Sequence, residues 1–471
     1  MSGRGHGVYW LYYSILSPQI IDNILAGIRP PVREQWRVMK PSTILPAESR
    51  TPLSAAGVLW YSLANLGYGT FYAFNNFVLP LWLGHLTGNA VLLGIMGGSH
   101  SFEGAIIQPV VGSVSDRLQG PGGRRRPFMR LFIPISALLL LLTPAAALLP
   151  SPVRLAVVIG CIFLFTMTFN VAVDPYQALL ADITTPEQRG KVTGRWYFIG
   201  AAGQVFILML LAALLLMPKL HLPIGLGFPL VSLLMVGTTL LTCAKIREPN
   251  AVTPQETIRG HRDDIKLALR GLRTLHQARL YMLMFFLYGA GVEVVSPFLT
   301  KFIEHVTGCG DGAALGCSAL LLVMAAVGSL AFGPVADKIG AKRLLMISMG
   351  LIALAALGAL GVHTLIQVAL VLSLAGLGIG AQNSSAYPLL TKLVPKEEIG
   401  FYVGLQTSAL SLAGPGAVAL TGYFINHSHH NYRLIFAVCA ACILLALAVL
   451  SRMREQFTAP EIDAREREIT R

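Results

Sequence analysis

The chain has 471 residues, 54% of them hydrophobic and only 13% charged, with a formal net charge of +13. A soluble domain of average composition carries about twice that charged fraction. The apolar residues also gather in blocks of roughly 20, enough to cross a ~30 Å hydrocarbon layer as a helix, which excludes a soluble globular enzyme. Lipid offers the backbone no hydrogen-bond partners, so these blocks require helices rather than open sheet.

In chain order, residues 1–52 form an N-terminal cytoplasmic or interfacial segment. Its stretch 8–28 is semi-apolar, with Tyr9, Trp10, Tyr12 and Tyr13, and no cleavable signal pattern follows it. Two readings stay open: an interfacial helix, or an untranslated extension with Met39 as the start. Twelve spans are then predicted, at 54–84, 90–114, 129–149, 154–181, 193–217, 224–244, 277–303, 314–335, 344–362, 366–391, 402–425 and 433–451. Forty-seven glycines suit close packing of such helices.

The odd connections hold only Arg154, Lys219, Lys301 and Arg433 of the 36 lysines and arginines. The rest lie on the other side, with both termini. This asymmetry is the positive-inside signature, so the termini are expected in the cytoplasm, and with no organelle address the cell membrane is the default. It also accounts for the basic balance as topology, without nucleic acid as a partner. The expected partners are the lipid bilayer, a small-molecule substrate and protons, and the expected state is a monomer.

The spans are related to one another. Gly112-Ser-Val-Ser-Asp116-Arg117 after span two recurs as Gly333-Pro-Val-Ala-Asp337-Lys338 after span eight. Leu179-Leu180 with Pro186 and Gly190 recurs as Leu389-Leu390 with Pro395 and Gly400. The expectation is an all-α membrane protein of two pseudo-symmetric six-helix halves, 53–244 and 277–451. A cytoplasmic linker, 245–276, joins them, and a tail, 452–471, follows. The linker carries Arg259, Arg262, Asp263, Asp264, Lys266, Arg270 and Arg273 and reads as a short amphipathic helix. This layout suits two units rocking around a central site.

Gly112-x-x-x-Asp116-Arg117 followed by a basic cluster resembles the loop signature of the major facilitator superfamily. The longer run Gln108-Pro109-Val-Val-Gly112-Ser-Val-Ser115-Asp116-Arg117 and Gly123-Arg-Arg-Arg-Pro127-Phe128 is more restrictive. Together with Pro175-Tyr-Gln-Ala-Leu-Leu-Ala-Asp182 it is similar to the sucrose and proton-associated sugar transporter branch. The superfamily resemblance covers 54–451; the branch resemblance rests mainly on spans two and four. It implies the major facilitator fold, alternating access and proton-coupled sugar uptake. Asn170 and Pro175 match the branch. Gln177 stands where those proteins carry a sugar-holding arginine, and Thr166 where they carry a coupling aspartate. Sucrose specificity and the usual proton site therefore do not carry over with the motif.

Several residues are candidates for transport. Asp116, with Arg117, Arg124, Arg125 and Arg126, can pair with the positive end of a neighbouring helix, and the resemblance implies that this contact latches the cytoplasmic side. Asp337 and Lys338 would be the weaker counterpart, supported by Lys342 and Arg343. Glu103, Asp174 and Glu293 are carboxyls placed within spans, where a charge is costly. A low-dielectric site favours the neutral carboxyl and so suits reversible protonation. Glu103 lies 13 residues before Asp116, about 20 Å along a helix.

Polar side chains also stack on the four spans that the resemblance places around the cavity. Span one offers Tyr68, Tyr72, Asn75 and Asn76; span four Asn170, Asp174 and Gln177; span seven Glu293, Ser296 and Thr300; span ten Gln382, Asn383 and Tyr387. Amides, hydroxyls and aromatic rings suit a neutral polyhydroxylated ligand, although membrane helices also use such groups simply to bond to each other.

Cys161, Cys243, Cys439 and Cys442 read as packing residues, while an oxidised Cys309–Cys317 pair is left open. His427, His429 and His430 lack the geometry of a metal site. No phosphate-binding loop, HExxH pair or nucleophile elbow is present, so an enzyme, ATP-driven transport and a bound cofactor are not expected. The same fold exporting drugs or other amphipathic molecules is the alternative to sugar symport.

Overall fold

The computed structural model describes residues 52–98, 123, 125–217, 223–248, 276–394 and 399–454, together with Ile107, Val111 and Ser115. Among them, ten helices are long and apolar enough to cross a membrane. These are Arg126–Ala146, Ser151–Ile183, Pro186–Leu215, Gly227–Lys245, His276–Thr307, Asp311–Ile339, Ala341–Ala359, Leu365–Leu393, Ile399–His427 and Leu434–Arg452, spans three to twelve in order, with a break within span seven. Span one is a broken helix over Ala55–Gly84, and span two begins as Ala90–Gly97 under an Asn89 cap. The helices follow the expected spans closely. Span five is the exception, starting earlier at Pro186 because Thr185 caps it, its hydroxyl accepting from the Gln188 amide. Residues 1–51, most of the linker (249–275) and the tail from 455 lie outside the described residues.

Spans one and seven are interrupted at matching places. Span one passes through a π turn at Phe74–Val78 just before Pro80. Proline has no amide hydrogen, and its ring crowds the carbonyl four residues back, here that of Asn76, inside the widened turn. Span seven tightens to a 3₁₀ turn at Ser296–Phe298 around Pro297. The two interruptions lie against each other, and Thr300 Oγ1 donates to the Phe77 carbonyl at 3.3 Å.

Packing repeats with a step of six. Span one packs on five and six, as seven packs on eleven and twelve; three packs on four and six, as nine packs on ten and twelve. The halves meet where five touches eight and two touches eleven. One hydrogen bond recurs with the packing. Tyr61 Oη donates to the Tyr176 carbonyl at 3.1 Å, and Tyr281 Oη to the Ala386 carbonyl at 2.8 Å. Large apolar side chains such as Leu59, Leu138, Leu330, Leu370 and Leu445 point outward, as a lipid-facing surface requires.

Spans eight and ten cross closely. A Cβ on Gly380 would run into the backbone of Ala325, Gly328 and Ser329, whereas one on Gly350 would meet nothing within 4 Å. Gly380→Ala should therefore cost about 1–3 kcal/mol by overpacking. Gly350→Ala should be neutral or stabilising by up to about 1 kcal/mol through helix propensity. Thermal unfolding of the two purified variants in one detergent tests the contrast.

Candidate substrate and coupling site

The arginine cluster marks one end of the bundle, called here the basic end. Arg125 Nε donates to Asp182 Oδ2 at 3.2 Å, and its guanidinium reaches Ser115 Oγ. Both members of the ion pair are largely buried. Glu248, just past span six, accepts from the backbone amides of Arg125 at 2.9 Å and Arg126 at 2.7 Å. The first amides of a helix have no intrahelical partner and carry its positive dipole end, so this carboxylate closes the start of span three. Arg126 and Arg130 both donate to the Cys243 carbonyl, which binds span three to span six. Gly123, with φ +87°, makes the turn into this network.

Asp116, Arg117, Arg124 and Glu103 lie outside the described residues, as does the side chain of Asp337. Lys338 is exposed near the end of span eight. Lys342 donates to the carbonyl of Met453 at 2.7 Å, fastening the start of span nine to the chain beyond span twelve. Asp182 and Glu248 are the partners that sequence reasoning missed, since both lie far along the chain from Arg125.

Toward the middle of the first half, spans one and four form an aromatic wall. Tyr68 is buried with its ring against Phe169 and Tyr176, at centroid distances of 5.4 and 5.0 Å. Tyr72 is half-buried, edge-on to Phe169 at 5.6 Å. Asp174 is half-buried too, close enough to interact electrostatically with Tyr72 and with Arg125. Tyr197 of span five joins this group through Tyr72 and is another residue the sequence reading did not single out. Asn170 is buried beside them on span four. Asn75 is buried and donates to the Gly97 carbonyl at 2.8 Å, tying span one to span two, while Asn76 is half-buried. Thr166 turns inward to its own helix, donating to the Ile162 carbonyl at 3.0 Å.

In the second half Glu293 is half-buried, its methylenes against Gly414 of span eleven and its carboxyl near Tyr288. Tyr288 Oη donates to Gln382 Oε1 at 3.4 Å, joining spans seven and ten. Gln177, Asn383 and Tyr387 are exposed on spans four and ten, toward the basic end.

At the opposite end the halves are in contact. His85 meets Asp311 at 3.1 Å. Asn426 Oδ1 accepts from the Ala90 amide at 2.8 Å, and its Nδ2 donates to Asn89 Oδ1 at 3.0 Å. A Cβ on Gly97 would fall 2.7 Å from Pro80 Cγ and 2.9 Å from Pro297 Cβ, so span two lies directly on both interrupted helices. Cys309 and Cys317 at this end are free thiols.

A duplicated bundle with polar walls, closed at one end and with its polar faces exposed at the other, defines a multi-pass membrane transporter of small molecules. Residues 57–400 match the family model described as MFS/sugar transport protein, and the chain belongs to that family of the major facilitator superfamily. The match agrees with the resemblance carried by spans two and four. The chain is 30% identical over 181 residues to the multidrug resistance protein MdtG of Klebsiella pneumoniae (strain 342), covering 36% of this chain and 42% of that one. It thus spans less than half the length of that curated relative.

Among solved structures, a variant of the nucleoside transporter NupG superposes with a TM-score of 0.67 at 13% identity, over 83% of this chain and 99% of that one. A D-xylose-proton symporter gives 0.65 at 16% identity, over 84% and 97%. A bacterial homologue of the lysosomal transporter Spinster, inward-facing and occupied, gives 0.62 at 16% identity, over 86% and 97%. These likenesses establish the fold.

The Arg125–Asp182 pair is worth testing for stability. Asp182→Asn should lower unfolding stability by about 1.5–3 kcal/mol, the range for a hydrogen bond to a charged group. Glu248→Ala should lower it by about 1 kcal/mol, as loss of a helix cap does. Thermal melts of both variants against the parent chain check the order.

Proposed function

We propose that the protein is a proton-coupled symporter of a sugar or glycoside that works by alternating access. The two six-helix units, 53–244 and 277–451, rock about the central site, and the linker 245–276 connects them. The basic end faces the cytoplasm of a cell bounded by the host membrane, as the positive-inside rule favours. The observation that carries the reading is the pair of half-buried carboxyls within spans, Asp174 beside Tyr72 and Glu293 beside Tyr288. In-membrane ionisable groups beside a polar cavity suit proton relays.

Around them Asn170, Gln382, Tyr72 and Tyr288, with Gln177, Asn383 and Tyr387 nearer the opening, supply donors, acceptors and rings for a neutral polyhydroxylated ligand. Asn75, Asn76 and Tyr68 belong to the same wall, Tyr68 from behind it. Asp116 and the arginines hold the basic end when it closes, with Asp337 and Lys338 in the matching place; Glu103 remains a third candidate coupling carboxyl. The resemblance on spans two and four supports a sugar, and the D-xylose-proton symporter with the same fold supports proton coupling. A second reading, export of amphipathic compounds, is favoured by the likeness to MdtG and by the aromatic wall of Tyr72, Phe169 and Tyr197.

Uptake of labelled sucrose, maltose and xylose into proteoliposomes, driven by an inside-alkaline gradient and abolished by a protonophore, is the expected result. Asp174→Asn or Glu293→Gln should reduce gradient-driven accumulation to the level of empty liposomes while leaving sugar exchange at zero gradient in place. No sugar flux in either assay, from protein that remains folded, would overturn sugar symport and turn the search to exported amphiphiles.

A further inference from the structure

The end opposite the basic one holds a chain of four ionisable side chains that crosses between the halves. Lys301 Nζ donates to Glu304 Oε2 at 2.9 Å within span seven. The Glu304 carboxyl faces the Asp311 carboxyl at the start of span eight. Asp311 in turn meets His85 Nε2 at 3.1 Å. His85 ends span one and belongs to the first half; the other three belong to the second. The Lys301 stem also lies on Gly84, so both halves touch at two adjacent points. Lys301, Glu304 and Asp311 are mostly buried, and His85 is half-exposed. His430, from the loop between spans eleven and twelve, approaches Gly88, and Tyr432 from the same loop lies within electrostatic reach of Glu304.

We propose that His85 is a proton-operated latch that holds this end closed. With a proton on His85 a cation of the first half faces the Asp311 carboxylate of the second, beside the Lys301–Glu304 contact. Loss of that proton removes the charge that His85 brings from the first half. The ion pair that joins the halves there is then reduced to a neutral hydrogen bond, and closure weakens. The latch is strong with the imidazole charged and weak with it neutral, and histidine is the side-chain type that makes this exchange nearest neutral pH. The device stands apart from the nature of the cargo and from Asp174 and Glu293, which lie deeper in the bundle.

Hydrogen–deuterium exchange of the purified full chain in lipid nanodiscs, without substrate or gradient, tests it. Rates for peptides covering residues 79–97 are compared at about pH 6 and about pH 8.5, after correction for the intrinsic pH dependence of exchange. The parent chain should lose protection there by about two- to fivefold at the higher pH, the range an exposed ion pair commands. His85→Gln should show the lower protection at both pH values, and His85→Lys, a permanent cation, the higher protection at both. Peptides from Ala341–Ala359 should not change, which shows that each variant is folded. If a His85 variant fails that control, Asp311→Asn takes its place and should match His85→Gln. A parent chain whose protection does not depend on pH, or a His85→Gln protein that keeps the parent's dependence, would overturn the proposal. So would a His85→Lys protein that behaves like His85→Gln. None of these outcomes bears on sugar symport, which is read from flux.

Discussion

A bilayer has no water to offer a backbone group that has lost its helical partner, and each such group costs several kcal/mol in hydrocarbon. Irregular backbone at membrane depth is therefore tolerated only where protein surrounds it. Pro80 and Pro297 impose such irregularity on spans one and seven, and the fold answers by placing the two interruptions against each other. Span two then covers both, and Gly97 at the crossing brings its backbone onto both proline rings. The broken helices, the seam between halves and the closure of one end are consequences of one requirement.

The duplication shows which parts of the molecule are scaffold. Tyr61 and Tyr281, 220 residues apart, make the same bond to spans four and ten, and Tyr68 and Tyr288 hold matching places one level further along. Where the halves diverge, the residues are those with the most chemistry. The position matching Asp174 is Ser384, which donates to the Ser329 carbonyl at 2.8 Å and so merely joins spans eight and ten. The position matching Glu293 is Ala73. The shared residues build the bundle, and the unshared carboxyls distinguish its two walls.

Much of the fold was legible in the sequence because lipid imposes a length and a composition on every span. The repeat predicts the step-of-six packing of the helices, and the arginine distribution predicts a sidedness. Span five began earlier than its hydropathy suggests, since Pro186 to Arg195 is polar yet begins with a capped, proline-started turn. The candidate site was legible as helix faces, without the depth of each side chain on its face. Tyr68 and Tyr72 look equivalent at helical spacing, yet one is packed behind Phe169 and the other stands beside Asp174. Contacts between distant segments left no local trace: Asp182 is 57 residues from Arg125 and Glu248 is 123. Likewise, nothing around His85 points to Asp311, 226 residues away.

The seam between spans two and eleven is poor in side chains. Gly94 and Gly422 bring backbone close to its neighbours there, with Gly422 against Ala90 and Val91. Surfaces of this kind part like two smooth plates, with little interlocking to withdraw and few rotamers to rearrange. Resistance to separation is then concentrated in the polar groups around the rim, among them Asn89, Asn426, His85 and Asp311. A transporter built in this way can hold one end shut with a handful of bonds and still release it quickly. Its opening speed becomes adjustable at the rim without disturbing the apolar packing beneath.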